Sequence, residues 1–147
     1  MKVIILSGLP GSGKSTFVKS LGKGIEVVSA DSFFIVNGEY KFDVSKLGEA
    51  HNKCLRDFNT LLALCAEEET VLVVDNTNTT VLELAPYVAL AQAYDHEVEL
   101  HTFHVSPEVA ATRNVHGVTL KTCEHMAKRL KDRKLPPYWN LKEVHHY

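Results

Sequence analysis

Gly8-Leu9-Pro10-Gly11-Ser12-Gly13-Lys14-Ser15 decides the reading of this 147-residue chain. The stretch fits G-x-x-x-x-G-K-[ST]. It follows the apolar run from Lys2 to Ser7 and opens an amphipathic stretch from Ser15 to Leu21. A strand, a glycine-rich turn and a helix, in that order, make this pattern a phosphate-binding loop. Glycines let the backbone pass close to phosphate with its N–H groups turned inward. The helix starting near Lys14 points the positive end of its dipole at the same anion. Lys14 is placed to reach β- and γ-phosphates, and the Ser15 hydroxyl to ligate Mg²⁺. ATP or another NTP, with Mg²⁺, is the expected ligand, held by Gly8, Pro10, Gly11, Ser12, Gly13, Lys14, Ser15 and Thr16.

Outward from this loop the chain alternates between strand and helix. Gly22 and Gly24 stop the first helix. Ile25 to Ser29, Thr70 to Asp75 and His96 to Val105 are further short apolar runs. Continuous Val/Ile/Leu runs separated by helices predict a parallel sheet covered on both faces. From Val44 to Glu67 apolar residues recur at Leu47, Cys54, Phe58, Leu61, Leu62 and Cys65, a helical spacing. Thr80-Val81-Leu82-Glu83 is a capping box, with Pro86 expected to bend the helix that follows. Ser106-Pro107-Glu108 is an N-cap with proline in the first turn. The last helix is expected to open at Thr119, to carry Leu120, Cys123, Met126, Ala127 and Leu130 on one face, and to end before Pro136-Pro137. Phe33 to Phe42 is apolar on both sides of Asn37-Gly38, a dipeptide suited to a type I′ turn, so a hairpin is expected there. The expected fold is α/β, a P-loop NTPase domain over residues 1–147, with four or five parallel strands and helices on both faces.

Composition narrows the class. Hydrophobic residues are 45% and charged residues 23%, which excludes disorder, collagen and coiled coil. The apolar runs are too short to span a membrane, so no membrane partner is expected. The apolar stretch in Met1 to Leu6 is too short for a signal peptide. Three cysteines (Cys54, Cys65, Cys123) cannot all pair within one chain, and a cytoplasmic protein with reduced thiols is expected. Residues 1–120 carry 9 basic against 15 acidic side chains, whereas residues 121–147 carry 7 against 3. The basic end is either a surface for a polyanion or a solvated helix face. His101 and His104, three apart on a strand, point to opposite faces and cannot share an ion.

Three further positions carry chemistry. Asp31 stands just past the second strand, at the carboxyl end where open α/β sheets bind ligands. A carboxylate there can accept the proton of an attacking hydroxyl; its blander role is a turn aspartate. Asp75 ends the third strand after four apolar residues, a position from which a carboxylate can hold Mg²⁺ through water. Asn76-Thr77-Asn78-Thr79-Thr80 follows it as a short polar loop. Arg113 ends the short helix from Pro107, where it can either swing over a triphosphate or rest on its own helix dipole.

These pieces together resemble the P-loop kinases around polynucleotide 5′-hydroxyl kinase, found in phage enzymes and animal end-repair proteins. The resemblance rests on Gly8 to Thr16, Ser29-Ala30-Asp31, Asp75-Asn76-Thr77-Asn78 and Arg113-Asn114. Ala50 to Cys54 and Arg113 to Val118 are similar to a subgroup of related kinase-like domains. The resemblance implies strand order 2-3-1-4 and transfer of the γ-phosphoryl of ATP to a nucleic-acid 5′-hydroxyl. It places the general base on Asp31, the lid arginine on Arg113 and the strand-end acid on Asp75, with Lys14 in the catalytic set. The acceptor would meet Asp75, Thr77, Asn78, Phe34 and Arg129. Phage enzymes carry an arginine where this chain has Phe34, and a second lid arginine is missing near His116. Lys128, Arg129, Lys131, Arg133 or Lys134 can supply the missing charge, and Phe33, Phe34, Tyr40, Tyr138 and Trp139 are available to stack bases. Two other readings stay open: a small-molecule kinase for a nucleoside or other metabolite, and a nucleotide-binding module without kinase activity.

Overall fold

The computed structural model describes residues 1–64 and 69–147. Cys65 and the end of the helix expected to reach Glu67 lie outside the described residues. The main sheet holds β1 (Lys2–Ser7), β2 (Ile25–Val28), β5 (Val71–Asp75), β6 (Glu97–Phe103) and β7 (Lys142–His146); a hairpin of β3 (Ile35–Val36) and β4 (Glu39–Tyr40) stands apart. The helices are α1 (Lys14–Ser20), α2 (Leu47–Leu64), α3 (Val81–Ala93), α4 (Pro107–Arg113) and α5 (Leu120–Asp132). The sheet order is β2-β5-β1-β6-β7, and every pairing in it is parallel. Without the hairpin and the last strand this is the expected 2-3-1-4.

Strand alternation sends side chains to two different cores. Val3, Ile5, Leu72, Val74, Val98 and Leu100 pack with α2 and α3, through Cys54, Phe58, Leu62, Leu84, Tyr87 and Val88. Ile4, Leu6, Val73 and Phe103 pack with Phe17 and Val18 of α1 on the opposite face. A small third core joins Leu9 to Ala110 of α4 and Cys123 of α5. Both described cysteines are buried free thiols. Among the described residues no helix is long and apolar enough to cross a membrane.

The helix starts match the sequence signals. Thr80 accepts from the Glu83 N–H (3.2 Å), Ser106 from Val109 (3.2 Å) and Thr119 from Thr122 (3.3 Å). Gly22 and Gly24 both have positive φ past the end of α1. Asn37 and Gly38, at φ 53° and 81°, make the tight turn between β3 and β4. Leu47 and Leu120, expected on buried helix faces, are exposed. Each is the first residue of its helix, where the apolar face has not yet met its partner.

β7 was not assigned from the sequence because Val144 is its only aliphatic residue. Polar contacts dock it instead. His146 stacks on Phe103 at 4.3 Å between ring centres and meets His101 Nδ1 at 2.9 Å. His101 in turn meets Glu99 at 2.9 Å, and Glu99 pairs with Lys2 at 3.1 Å. On the other face His145 meets His104 at 2.8 Å. His101 on β6 and His104, one residue past its end, do point apart, and each finds a partner on β7.

Arg133, counted above among the cations open to a polyanion, is half-buried and internally committed. Its guanidinium donates to Ser7 Oγ (2.7 Å), to the Asn78 carbonyl (2.9 Å) and to Thr102 Oγ1 (3.3 Å). It binds the end of α5 to β1, to the loop after β5 and to β6. Arg133→Leu should therefore cost about 2–4 kcal/mol, since charge-assisted bonds are lost and their partners stay buried. Urea unfolding measures this; Arg129→Leu, on the exposed side of α5, should change little.

Candidate active site

The P-loop turns out of β1 and back into α1 through a close backbone approach. A Cβ at Gly8 would lie 2.8 Å from Ser12 Oγ and 3.0 Å from Phe103 Cβ. One at Gly11 would meet the Asn114 nitrogen at 2.8 Å and the Ala110 carbonyl at 2.9 Å, and Gly11 itself has φ +79°. Only glycine fits either place. The Gly8 N–H donates to the Thr77 carbonyl (2.9 Å), so the loop after β5 supports the P-loop from beside it. Lys14 is buried, and its Nζ donates to the carbonyls of Gly8 (2.8 Å) and Leu9 (2.9 Å). Pro10 is half-buried, while Gly13, Ser15 and Thr16 are exposed at the start of α1. Ser12 Oγ is buried with no hydrogen-bond partner.

That orphaned hydroxyl, the glycine cradle and the buried ammonium fit a polyphosphate. Ser15 is the exposed hydroxyl and Asp75 the half-buried carboxylate available to a Mg²⁺ ion.

Burial dominates the electrostatics. It pushes the Lys14 ammonium down to about 8, against the raising pull of Asp75 and Asp31. It pushes the Asp75 carboxyl up, with Lys14 pulling the other way and Asp31 adding repulsion. Lys14, Asp75 and Asp31 thus form one charge cluster, contributed by the start of α1, the end of β5 and the turn after β2.

Asp31 begins a 3-10 turn over Asp31–Phe34, held from behind by Asn76, whose Oδ1 accepts the Ala30 N–H at 2.8 Å. Asn76 also donates to Cys54 Sγ (3.5 Å), tying this turn to the core. Asp31 itself is exposed. Tyr40 donates its hydroxyl to Asp31 Oδ1 (3.3 Å), and His116 Nε2 stands 3.8 Å from Oδ2. Burial and the neighbouring Asp31 push the Tyr40 hydroxyl up to about 12, so it remains a donor. Neither Tyr40 nor His116 carries a sequence motif. The clue to Tyr40 was the Asn37-Gly38 turn, which folds β4 back over the Asp31 turn.

Arg113 is exposed at the end of α4, and its Cβ would touch a side chain added at Gly11 (3.1 Å). It borders the P-loop. Asn114 staples the loop that follows: its Nδ2 donates to the carbonyls of Ala110 (2.9 Å) and Val118 (3.0 Å), and its Oδ1 accepts the Val118 N–H (2.8 Å).

Two expected acceptor contacts, Phe34 and Asn78, do not face the site, and a third, Thr77, has its backbone committed to the P-loop. Phe34 is 3% exposed and belongs to the main core, because the 3-10 turn rotates it inward from Asp31. Asn78 is buried and spends its side chain on the Leu6 carbonyl (2.9 Å). Thr77 contributes its carbonyl to Gly8. Trp139 is also core, while Tyr138 is exposed. Arg129 is exposed on α5, and no described hydrogen bond or ion pair connects it to the cluster.

A parallel sheet with a P-loop after its central strand, and helices on both faces, defines a P-loop kinase-like domain. The profile of the family described as an AAA domain matches residues 3–117, and the chain belongs to that family. Human NEDD4-binding protein 2 is 37% identical over 134 residues, covering 84% of this chain and 7% of that protein. Mouse 2′,3′-cyclic-nucleotide 3′-phosphodiesterase is 35% identical over 112 residues, covering 74% of this chain and 24% of the relative. The chain thus spans under a quarter of either relative's length. Among solved structures, a chain of the Pnkp1/Rnl/Hen1 RNA repair complex superposes with a TM-score of 0.69 at 20% identity, over 88% of this chain and 44% of that one.

The Lys14 shift has a measurable sign. Between about 8 and the ordinary lysine value of 10.5, the unfolded chain holds a proton that the folded chain has released. Unfolding free energy therefore gains a component that rises with pH across that window. Lys14→Met should lack this component, and urea unfolding of both chains at pH 7.5, 9 and 10 reads the difference. Parallel pH profiles would refute the buried-ammonium assignment.

Proposed function

We propose that this chain is a single P-loop kinase domain over residues 1–147 that transfers the γ-phosphoryl of ATP or another NTP to a nucleic-acid 5′-hydroxyl. The observation that carries this reading is the convergence of Lys14, Asp75 and an exposed Asp31 beside the glycine cradle. A module that only held nucleotide would not need the exposed carboxylate at the mouth. The RNA repair complex and the cyclic-nucleotide phosphodiesterase among the similar proteins support a nucleic-acid acceptor.

In this reading the backbone of Gly8 to Thr16 binds the triphosphate, with the Ser12 hydroxyl donating to it. Lys14 neutralises charge on the β- and γ-phosphates. Ser15 and Asp75 are the residues that would hold Mg²⁺, which when bound screens the triphosphate charge. Asp31 takes the proton of the acceptor hydroxyl as its oxygen bonds to the γ-phosphorus. The bond from that phosphorus to the β,γ-bridging oxygen breaks, and the nucleoside diphosphate leaves. Arg113, beside Gly11, neutralises charge on the transferring group. Arg129, Lys128 and Lys131 form the exposed basic face of α5 available to the rest of a polyanion.

Transfer of label from γ-labelled ATP to a 5′-OH oligonucleotide, beside a panel of nucleosides, tests the acceptor. Label should enter the oligonucleotide. Label entering only nucleosides would move the chain to the metabolite kinases, and release of phosphate without transfer to the nucleotide-binding modules.

Asp31→Asn should reduce kcat by about 10²–10⁴-fold while leaving nucleotide affinity nearly intact. The substitution is nearly isosteric at an exposed site, so the fold should persist. Loss of nucleotide binding instead would place Asp31 among the groups holding the metal.

A further inference from the structure

Three segments meet at Asp31, two of them neighbours in sequence and the third far along the chain. The 3-10 turn brings Asp31 itself, β4 brings Tyr40, and the loop between α4 and α5 brings His116. Tyr40 and His116 rest ring against ring, 4.3 Å between centres and tilted by 39°. Phe42 extends the same surface, stacked with Tyr40 at 6.4 Å and 53% exposed. No arginine or lysine side chain makes a described hydrogen bond or ion pair with Asp31.

The two oxygens of Asp31 are unequal. Oδ1 accepts the Tyr40 hydroxyl at 3.3 Å. Oδ2 has His116 Nε2 at 3.8 Å, beyond hydrogen-bond length. Oδ2 is therefore the oxygen free to accept from an incoming hydroxyl, and the imidazole and phenol rings border its approach. Both rings are held in place. The type I′ turn and the bond from Lys41 N–H to the Phe34 carbonyl (2.7 Å) fix the hairpin. Asn114 staples the loop on which His116 stands.

We propose that Tyr40 and His116 are the acceptor-positioning residues of this site: Tyr40 anchors Asp31 Oδ1 so that Oδ2 meets the hydroxyl, and the paired rings stack the terminal base of the acceptor. This rests on the phosphotransferase reading above and narrows it to acceptors with a flat ring next to the reacting hydroxyl. Aromatic faces bind bases of any sequence, because every base has a π-face. The acceptor's terminal base would thus be held by stacking rather than by base-edge hydrogen bonds.

Steady-state kinetics with two 5′-OH oligonucleotides of equal length tests this, one ending in a nucleoside and the other in an abasic sugar. Tyr40→Phe keeps the ring and loses the donor. It should lower kcat by about 10-fold or more, the worth of one hydrogen bond to a charged group, with acceptor KM nearly unchanged. His116→Ala should raise acceptor KM by about 5–150-fold on the nucleoside end, the worth of one base stack. It should leave the abasic end and the nucleotide KM unaffected. His116→Phe should restore the KM, because the ring and not the imidazole nitrogen does the stacking. An equal rise on both ends, no rise on either, or no rescue by phenylalanine would overturn the proposal while the parent reading stands. Absence of transfer by the wild-type chain would overturn both.

Discussion

The carboxyl ends of β1, β5 and β6 are where the chain leaves the sheet, and their polar groups must be satisfied without water. Ser7, Asn78 and Thr102 stand at those ends, and one guanidinium from the end of α5 reaches all three. Ser7 also donates to the Asn78 carbonyl (2.9 Å), and Asn78 donates to the Leu6 carbonyl (2.9 Å). This small network fixes the spacing between the strand that feeds the P-loop and the strand that ends in Asp75. Gly8 can then approach Phe103 closely, since neither strand can slide. A P-loop is rigid only if its root is, and here the root is held by side chains rather than by the ladder alone.

The parts of the fold governed by local chemistry were legible in the sequence. The P-loop, the hydroxyl caps at Thr80, Ser106 and Thr119, and the Asn37-Gly38 turn each depend on a few adjacent residues, and each stands where expected. Parallel strands read clearly because both of their faces are apolar. β7 has one aliphatic residue and is docked by histidines, so its signal exists only once β6 lies beside it. Leu47 and Leu120 fit the helical spacing but start their helices, where spacing alone cannot tell a covered face from an open one.

The candidate site was legible as a list of charges and not as a geometry. Asp31, Asp75, Lys14 and Arg113 sit at element ends, which topology brings to one edge of the sheet. Phe34 and Arg133 were misread for the same reason in opposite chemistry. An aromatic beside an aspartate and a cation on a basic helix both look available until the turn rotates one into the core and the strand ends claim the other. Tyr40 enters the sequence reading only as one of several aromatics available to stack bases, and His116 only as the neighbour of a missing arginine, because nothing local marks either as a partner of Asp31. They matter through a hairpin and a stapled loop that meet only in three dimensions.

Asp31 and Asp75 illustrate how far position falls short of role. Each follows an apolar strand, and the base and metal-side roles expected of them rest on position and resemblance alone. Burial separates them. Asp75 sits half-buried beside Lys14, and its carboxyl is pushed up by desolvation and by Asp31. A carboxylate strained in that way gains most from a cation, which removes both penalties at once. Asp31 is exposed, with one oxygen on Tyr40 and the other open. A group that must exchange a proton with an incoming hydroxyl needs an accessible lone pair more than it needs a counter-charge. Where two acids occupy one site, their environments divide the labour between them. The division supports Asp75 as the metal-side carboxylate and Asp31 as the base, and it leaves Lys14 between them to answer the charge of the triphosphate.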